Sequence, residues 1–433
     1  MLDLYIYLGV YILVLFAISY IVSRRQDKEG FLIAGRKRKG WQILASKFAA
    51  GIGVGYFISY TGFAYEYGYG VFTMLAGLFF GYLIFGYWAS PKIHAHSKEH
   101  KFYTIGDFVY NKTKSKFSMY LADIFSSAIL FSWLLTGVIG GAKIINDFGL
   151  ISYNFAVLLT ALVILGYILI AGYNAVIVTD IVQSAVIVIL LVVVTFGIVG
   201  SQNLPQLLTF EGGGIDIGVA VAFFLFGILS VFSYSDRYQL SYAAESKRGL
   251  KHGLGLAAVP IFFAGALLLL VGSFMAIKVP GLDSSLIFTE ALKNFLPAAL
   301  LPFAIVLFFA GIMSSADTNV YAISSHYAMH KKGNPVKVIR RSMIGLTVLM
   351  ILLSILFPDV VDVSIFAGGI SLTLSLAMLY LLFGGENRGR FRGSAIGGLI
   401  GLIVGIIYFG VEPTIALPVL IGGALGLLCK TKD

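Results

Sequence analysis

The sequence predicts an all-α polytopic membrane protein with about thirteen transmembrane helices. Three observations carry that prediction. The chain is 58% hydrophobic and only 12% charged, where soluble domains carry about 25% charged residues, and its mean hydropathy is +0.91. Apolar runs of the roughly 20 residues needed to cross a bilayer recur along its whole length. Lysine and arginine gather in alternate connections between those runs, as the positive-inside rule requires.

The runs lie near 3–22, 40–65, 70–90, 119–145, 151–171, 174–199, 217–243, 252–278, 299–329, 337–357, 361–383, 393–410 and 414–428. With short connections they account for the 433 residues. The first run has neither a basic leader nor a small-residue cleavage site, so it reads as a span rather than a signal peptide. The single cysteine, Cys429, allows no internal disulfide.

With the N-terminus placed outside, 26 of the 31 lysines and arginines fall in the cytoplasmic connections or at the C-terminus, which is then cytoplasmic too. The net charge of +10 is thus a topology signal, and no nucleic-acid partner is expected. The expected setting is the cell membrane. The expected partner at this point is the lipid bilayer, with no obligate protein partner.

Spans two to eleven divide into two runs of five. Because five is odd, the second run starts from the opposite side, and the core reads as a 5+5 inverted repeat. The expected organisation is a peripheral helix and basic loop over 1–39, repeats over 40–200 and 201–385, and two peripheral helices over 386–433. Each repeat opens on an interrupted span. The first reads "SKFAAGIGVGYFISYTG", with Gly51, Gly53 and Gly55 near its middle; in the second, "GILSVFSYSDRYQLSYAA", Ser233, Ser235, Asp236 and Arg237 break the apolar run. Paired interruptions at matching positions point to a substrate site. Tight helix packing is the other reading of the glycines. The outer stretch 280–297 has amphipathic helical spacing suited to capping one mouth.

Intramembrane acids mark function by default. At about 1.5 Å per residue, Asp180 enters to the same depth as "SSADT" (Ser314 to Thr318) and close to the first break at Ala49 and Ile52. Hydroxyls, carboxylates and freed carbonyls at one depth suit a hard monovalent cation. Ser and Thr bonding back to their own turn is the competing reading. For the solute, Gly53, Gly55, Tyr56, Phe232, Tyr234, Ser235, Asp236 and Arg237 border the two breaks. Asp236 beside Arg237 could hold both ends of a zwitterion, or each charge pairs with another protein group or reaches the cytoplasmic vestibule. Asp123 and Lys143 read as structural or interfacial. The run "HAHSKEH" (His94, His96, His100) reads as a solvated loop rather than a metal site.

Four motifs carry a family resemblance. "AGYNAVIVTDIVQ" resembles the signature of the sodium:solute symporter family, and "GIMSSADTN" its sodium-binding segment. "YTIGDFVYNKTKSK" is similar to its cytoplasmic motif, and "LSYAAESKRG" to the exit of its seventh span. The resemblance implies the inverted-repeat fold of the bacterial leucine transporter. It also implies a sodium site built from the carbonyls of Ala49, Ile52 and Gly311 and the hydroxyls of Ser314 and Ser315. A second sodium would use Asp180, Ser314, Asp317 and Thr318, with a carboxylate at Asp317 replacing the family's hydroxyl. Lys47 departs from the family, which is apolar there. Either it snorkels to the cytoplasmic surface, or its ammonium pairs with Asp180 or Asp317 and stands in for one cation.

The function expected is sodium-coupled symport of a small organic solute, an amino acid such as proline being favoured, by alternating access. Sodium is a co-substrate and no cofactor is expected. The alternatives are a proton-coupled carrier using Lys47 and a solute-sensing receptor; with no nucleophile triad in the spans, an enzyme is not expected.

Overall fold

The computed structural model describes residues 2–24, 26–53, 55–149, 151–200, 205 and 216–430. Helix dominates it, as an apolar medium demands, because each backbone N–H and C=O must find its partner within the segment. The elements are α1 (Leu2–Ser23), α2 (Lys28–Ile33), α3 (Gly40–Gly51), α4 (Thr61–Tyr67), α5 (Phe72–Ile84), α6 (Ser90–His100), α7 (Ile105–Thr113) and α8 (Lys116–Asp147). α9 (Tyr153–Ile170) and α10 (Gly172–Val199) follow. They meet at Gly172, whose φ of 61° and ψ of −157° turn the chain where a β-carbon would be strained. The second half holds α11 (Ile217–Ser230), α12 (Ser235–Ala243), α13 (Lys247–Leu256), α14 (Ala258–Lys278), α15 (Ile287–Phe295), α16 (Leu301–Met329), α17 (Pro335–Leu356) and α18 (Val360–Leu382). α19 (Arg388–Phe409) and α20 (Ala416–Gly426) close the chain.

Among the described residues, eleven helices are long and apolar enough to cross a membrane, not thirteen. The difference has two physical sources. The second apolar run is broken at Ile52–Gly53 into α3, too short alone, and an outer half (Gly55–Tyr60 and α4) that runs on with the third run in one stretch, Tyr56–His100. The last, α20, is short. The second expected interruption is also present: α11 stops at Ser230 and α12 restarts at Ser235. Both five-helix sets therefore begin with a broken helix. The expected repeat boundary at residue 201 lies outside the described residues.

Burial separates centre from rim. The most apolar stretches of α8 and α18 are 78% and 72% buried, whereas that of α1 is 11% buried. α16 packs on α8 and the α9–α10 pair, α18 on α8, and α11 on α5. Rim side chains such as Phe196, Phe263 and Ile407 stay exposed, which suits a lipid-facing surface. The glycines of α19 and α20 serve packing: a β-carbon on Gly397 would stand 2.2 Å from the Gly422 carbonyl. Backbone bonds from Arg38 to Ala243 and from Glu245 to Arg38, both 2.9 Å, tie the start of α3 to the end of α12. At the opposite end α15 covers the outer half of the first broken helix, with Phe288 packed on Phe57 (centroids 4.9 Å apart) and Phe308 (5.1 Å).

Candidate ion and solute sites

The break in α3 lies directly against α16. A β-carbon on Gly53 would fall 2.1 Å from the Ser315 hydroxyl and 3.1 Å from the Gly311 carbonyl oxygen, so only glycine admits this approach. A β-carbon on Gly311 would stand 3.7 Å from the Ile52 carbonyl oxygen. Ala49 and Ile52 are fully buried in the same seam. Beside it, Asp180 of α10 accepts hydrogen bonds from Ser46 (2.5 Å) on one carboxylate oxygen and from Ser314 (2.5 Å) on the other. Ser315 donates to the Ile312 carbonyl at 3.3 Å, within its own helix. Asp317 accepts from Tyr167 (3.0 Å) and Thr179 (3.4 Å), and Thr318 sits 3.5 Å from its other oxygen.

The first break, α10 and "SSADT" are thus brought together, as the depth argument expected. Hydroxyls surround both carboxylates, and no fixed cation among the described residues pairs with either. Sequence reasoning missed Ser46, Tyr167 and Thr179; Ser46 and Thr179 stand directly beside the charged residues Lys47 and Asp180, which drew the attention.

Lys47 corrects the sequence reading on both counts. It is 2% exposed, so it does not snorkel. Its ammonium pairs with neither Asp180 nor Asp317 but with Asp236 of α12. A helix turns about 100° per residue, so Ser46 and Lys47 look to different sides of α3. Asp236 also lies 3.3 Å from Arg237, whose guanidinium donates to the Tyr82 hydroxyl at 2.8 Å. The guanidinium stacks over the Tyr234 ring (4.3 Å) and over Tyr82 (5.0 Å).

This cluster borders a cavity of about 120 Å³ between the two breaks. Gly53, Tyr56, Tyr234, Asp236 and Arg237 line it, as expected; Tyr60, Tyr82 and Trp133, not foreseen, complete an aromatic wall. Phe232 and Ser235 do not line it. Phe232 packs against Phe85 at 5.8 Å, and the Ser235 amide is bound by Ser126. Both belong to the turn that ends the apolar run, and the turn carries them away from the opening. Gly55 begins the outer half of the broken helix.

Asp123 and Lys143 both find partners within the protein: Asp123 accepts from the Gly106 amide (2.9 Å) and His330 (2.6 Å), and Lys143 pairs with Asp283 (2.8 Å). His94, His96 and His100 do not converge. His94 bonds the Ser241 carbonyl (2.9 Å), and His96 packs edge-on to Phe108. Among the described residues no group of three His, Cys, Asp or Glu could hold a metal.

The family model of the sodium:solute symporters matches residues 31–206. A sodium/pantothenate symporter of Haemophilus influenzae is 23% identical over 339 residues, 73% of this chain and 69% of that one. A sodium/proline symporter of Staphylococcus aureus is 26% identical over 243 residues, covering 54% of this chain and 47% of that one. Among solved structures, the substrate-bound outward-open state of a Na+-coupled sialic acid symporter superposes with a TM-score of 0.77 at 16% identity, covering 100% of this chain and 99% of that one. Mhp1, a nucleobase-cation-symport-1 family transporter, gives 0.61 at 13% identity, covering 93% and 94%. At these identities the structures establish the shared fold, not a shared substrate. Motifs, family model, curated relatives and fold agree on a likeness between this multi-pass membrane protein and the sodium:solute symporter family.

Proposed function

We propose that the protein couples sodium movement to uptake of a small organic solute by alternating access. One observation carries the reading: the broken helix at Ile52–Gly53 presses on Gly311 and Ser315 while Asp180 binds Ser314. An oxygen-rich seam beside an acid that no fixed cation among the described residues pairs with suits a monovalent cation. Ala49, Ile52, Gly311, Ser314 and Ser315 would be the sodium ligands. Asp180, Asp317 and Thr318 would supply charge or a second ion. Lys47, paired with Asp236, belongs to the solute side of this scheme. The repeats 40–200 and 201–385 would rock about the two breaks, with the N-terminus outside and the basic connections cytoplasmic.

The solute is the finer question. The relatives named above carry pantothenate and proline, both carboxylates, which supports a solute bearing that group. Proline remains within the proposed class. Sodium and solute bound to adjacent halves of one broken helix would each raise affinity for the other.

The test is uptake into proteoliposomes of labelled pantothenate and proline under an inward sodium gradient. Uptake of at least one solute should rise with the gradient, and Ser315→Ala should weaken the sodium dependence while the protein still folds. Uptake that follows a proton gradient without sodium would replace this reading with the proton-coupled one. Solute binding without transport would favour a sensor.

A further inference from the structure

The cavity wall carries a charge imbalance that the sodium reading does not use. Its ionisable lining is Lys47, Asp236, Arg237 and the phenols of Tyr56, Tyr60, Tyr82 and Tyr234. Two cations face one anion. Asp180 and Asp317 do not line the cavity, and their oxygens are taken by hydroxyls on the other side of α3. A surplus positive charge at membrane depth is costly and calls for a counter-charge.

The donor geometry says where that counter-charge goes. Arg237 keeps its charge, because a guanidinium does not deprotonate in proteins. It is 5% exposed. One terminal nitrogen faces Asp236 and the other Tyr82, and its Nε is buried without a hydrogen-bond partner. Stacking on Tyr234 and Tyr82 fixes the plane of the fork. Asp236, by contrast, is spent: one oxygen faces Lys47 and the other Arg237. No carboxylate of the lining remains for an ammonium. The rest of the wall is aromatic, with Tyr56 and Tyr60 stacked at 4.0 Å.

We propose that the cavity recognises a small organic monoanion, its carboxylate against Arg237 and an apolar body against the aromatic wall, with no ammonium required. This rests on the transport reading above and narrows its solute from the zwitterion first expected. A net-neutral zwitterion would leave the surplus charge unmatched; a monoanion cancels it.

Three nearly isosteric probes separate the cases: cyclopentanecarboxylate, its carboxamide, and proline. Binding of each to the purified full chain is measured by titration calorimetry in NaCl and in KCl. Cyclopentanecarboxylate should bind about tenfold or more tighter than the other two, the scale of a charge-assisted hydrogen bond. Arg237→Gln should erase that preference. Arg237→Lys, which keeps the charge and loses the fork, should retain part of it and serves if the first variant does not fold. Equal or tighter binding of proline overturns the proposal, as does equal binding of the carboxamide or no response to cyclopentanecarboxylate up to its solubility. Carboxylate binding that is the same in NaCl and KCl leaves the proposal standing and counts against sodium coupling. Stabilisation by sodium alone, with no carboxylate response, does the reverse.

Discussion

Ser46 and Lys47 are neighbours on one helix and serve opposite kinds of chamber. On the Ser46 side, the side chains that bond Asp180 and Asp317 are hydroxyls: Ser46 and Ser314, Tyr167 and Thr179. On the Lys47 side, Asp236 is held between two fixed cations. Hydroxyls lower the cost of a buried carboxylate without cancelling its charge, which leaves room for a mobile cation. Fixed cations cancel it and leave an excess, which leaves room for a mobile anion. The same residue type at similar depth thus points to different ligands according to its neighbours.

The largest effect is expected where the charges are most tightly matched. Asp236→Asn would leave Lys47 and Arg237 facing each other in a buried site, and removing one partner of a buried ion pair costs about 3–5 kcal/mol. The apparent Tm of the purified protein should fall steeply. The double variant Lys47→Met with Asp236→Asn should recover much of the loss. Wild-type melting of Asp236→Asn would mean that the contrast between the two chambers is drawn wrongly.

A smaller and more selective effect is expected on the other side. Asp180→Asn keeps the size and one acceptor, so Ser46 and Ser314 retain a partner, but it removes the charge proposed to attract sodium. The rise in apparent Tm on replacing KCl with NaCl should require about tenfold more sodium, on the order of 1.4 kcal/mol, while melting in KCl changes little. An unchanged sodium response would make Asp180 a structural acid and collapse the difference between the chambers.

The fold was legible because lipid imposes a coarse code. Spans must be long and apolar, charges must leave them, and the exceptions stand out. Asp180, Asp317, Asp236 and Arg237 were visible for that reason, and helical rise alone brought the first break level with "SSADT". Direction around the helix axis was not legible. Depth arithmetic set Lys47 level with Asp180 but carries no azimuth, and one residue of rotation turned it toward Asp236. Tyr82 and Trp133 were invisible for a related reason: aromatic residues in apolar spans look the same whether they face lipid, core or cavity. The count of long helices falls below the thirteen apolar runs where a single hydrophobic run hides a break, since composition does not report where a helix stops hydrogen-bonding to itself.

The smallest effect concerns a third arrangement, where an acid joins the two kinds of neighbour. Asp123 receives the neutral Gly106 amide on one oxygen and His330, at 2.6 Å, on the other. It ties α8 to the start of α7 and to the residue that ends α16. His326, one turn earlier and 3.9 Å from Asp123, faces the same carboxylate and is bonded to Ser127; the Tyr120 ring meets His330 edge-on, and Asp107 acts from further off. Burial by itself lowers the His330 pKa, but the hydrogen bond and charge of Asp123, helped by Asp107, outweigh it and leave the pKa raised from 6.5. A folded-state pKa above the unfolded one stabilises fully below the unfolded value and fades as pH rises through the folded value. The contribution of this tie should therefore be complete below pH about 6.5 and decline on the alkaline side. Between mildly acidic and mildly alkaline buffer, wild type should lose stability relative to His330→Gln by on the order of 1 kcal/mol, as for other partly exposed pairs, read as the difference in apparent Tm shifts. Parallel pH profiles for the two proteins would show that His330 has the same pKa folded and unfolded, so that its contact with Asp123 adds nothing through charge.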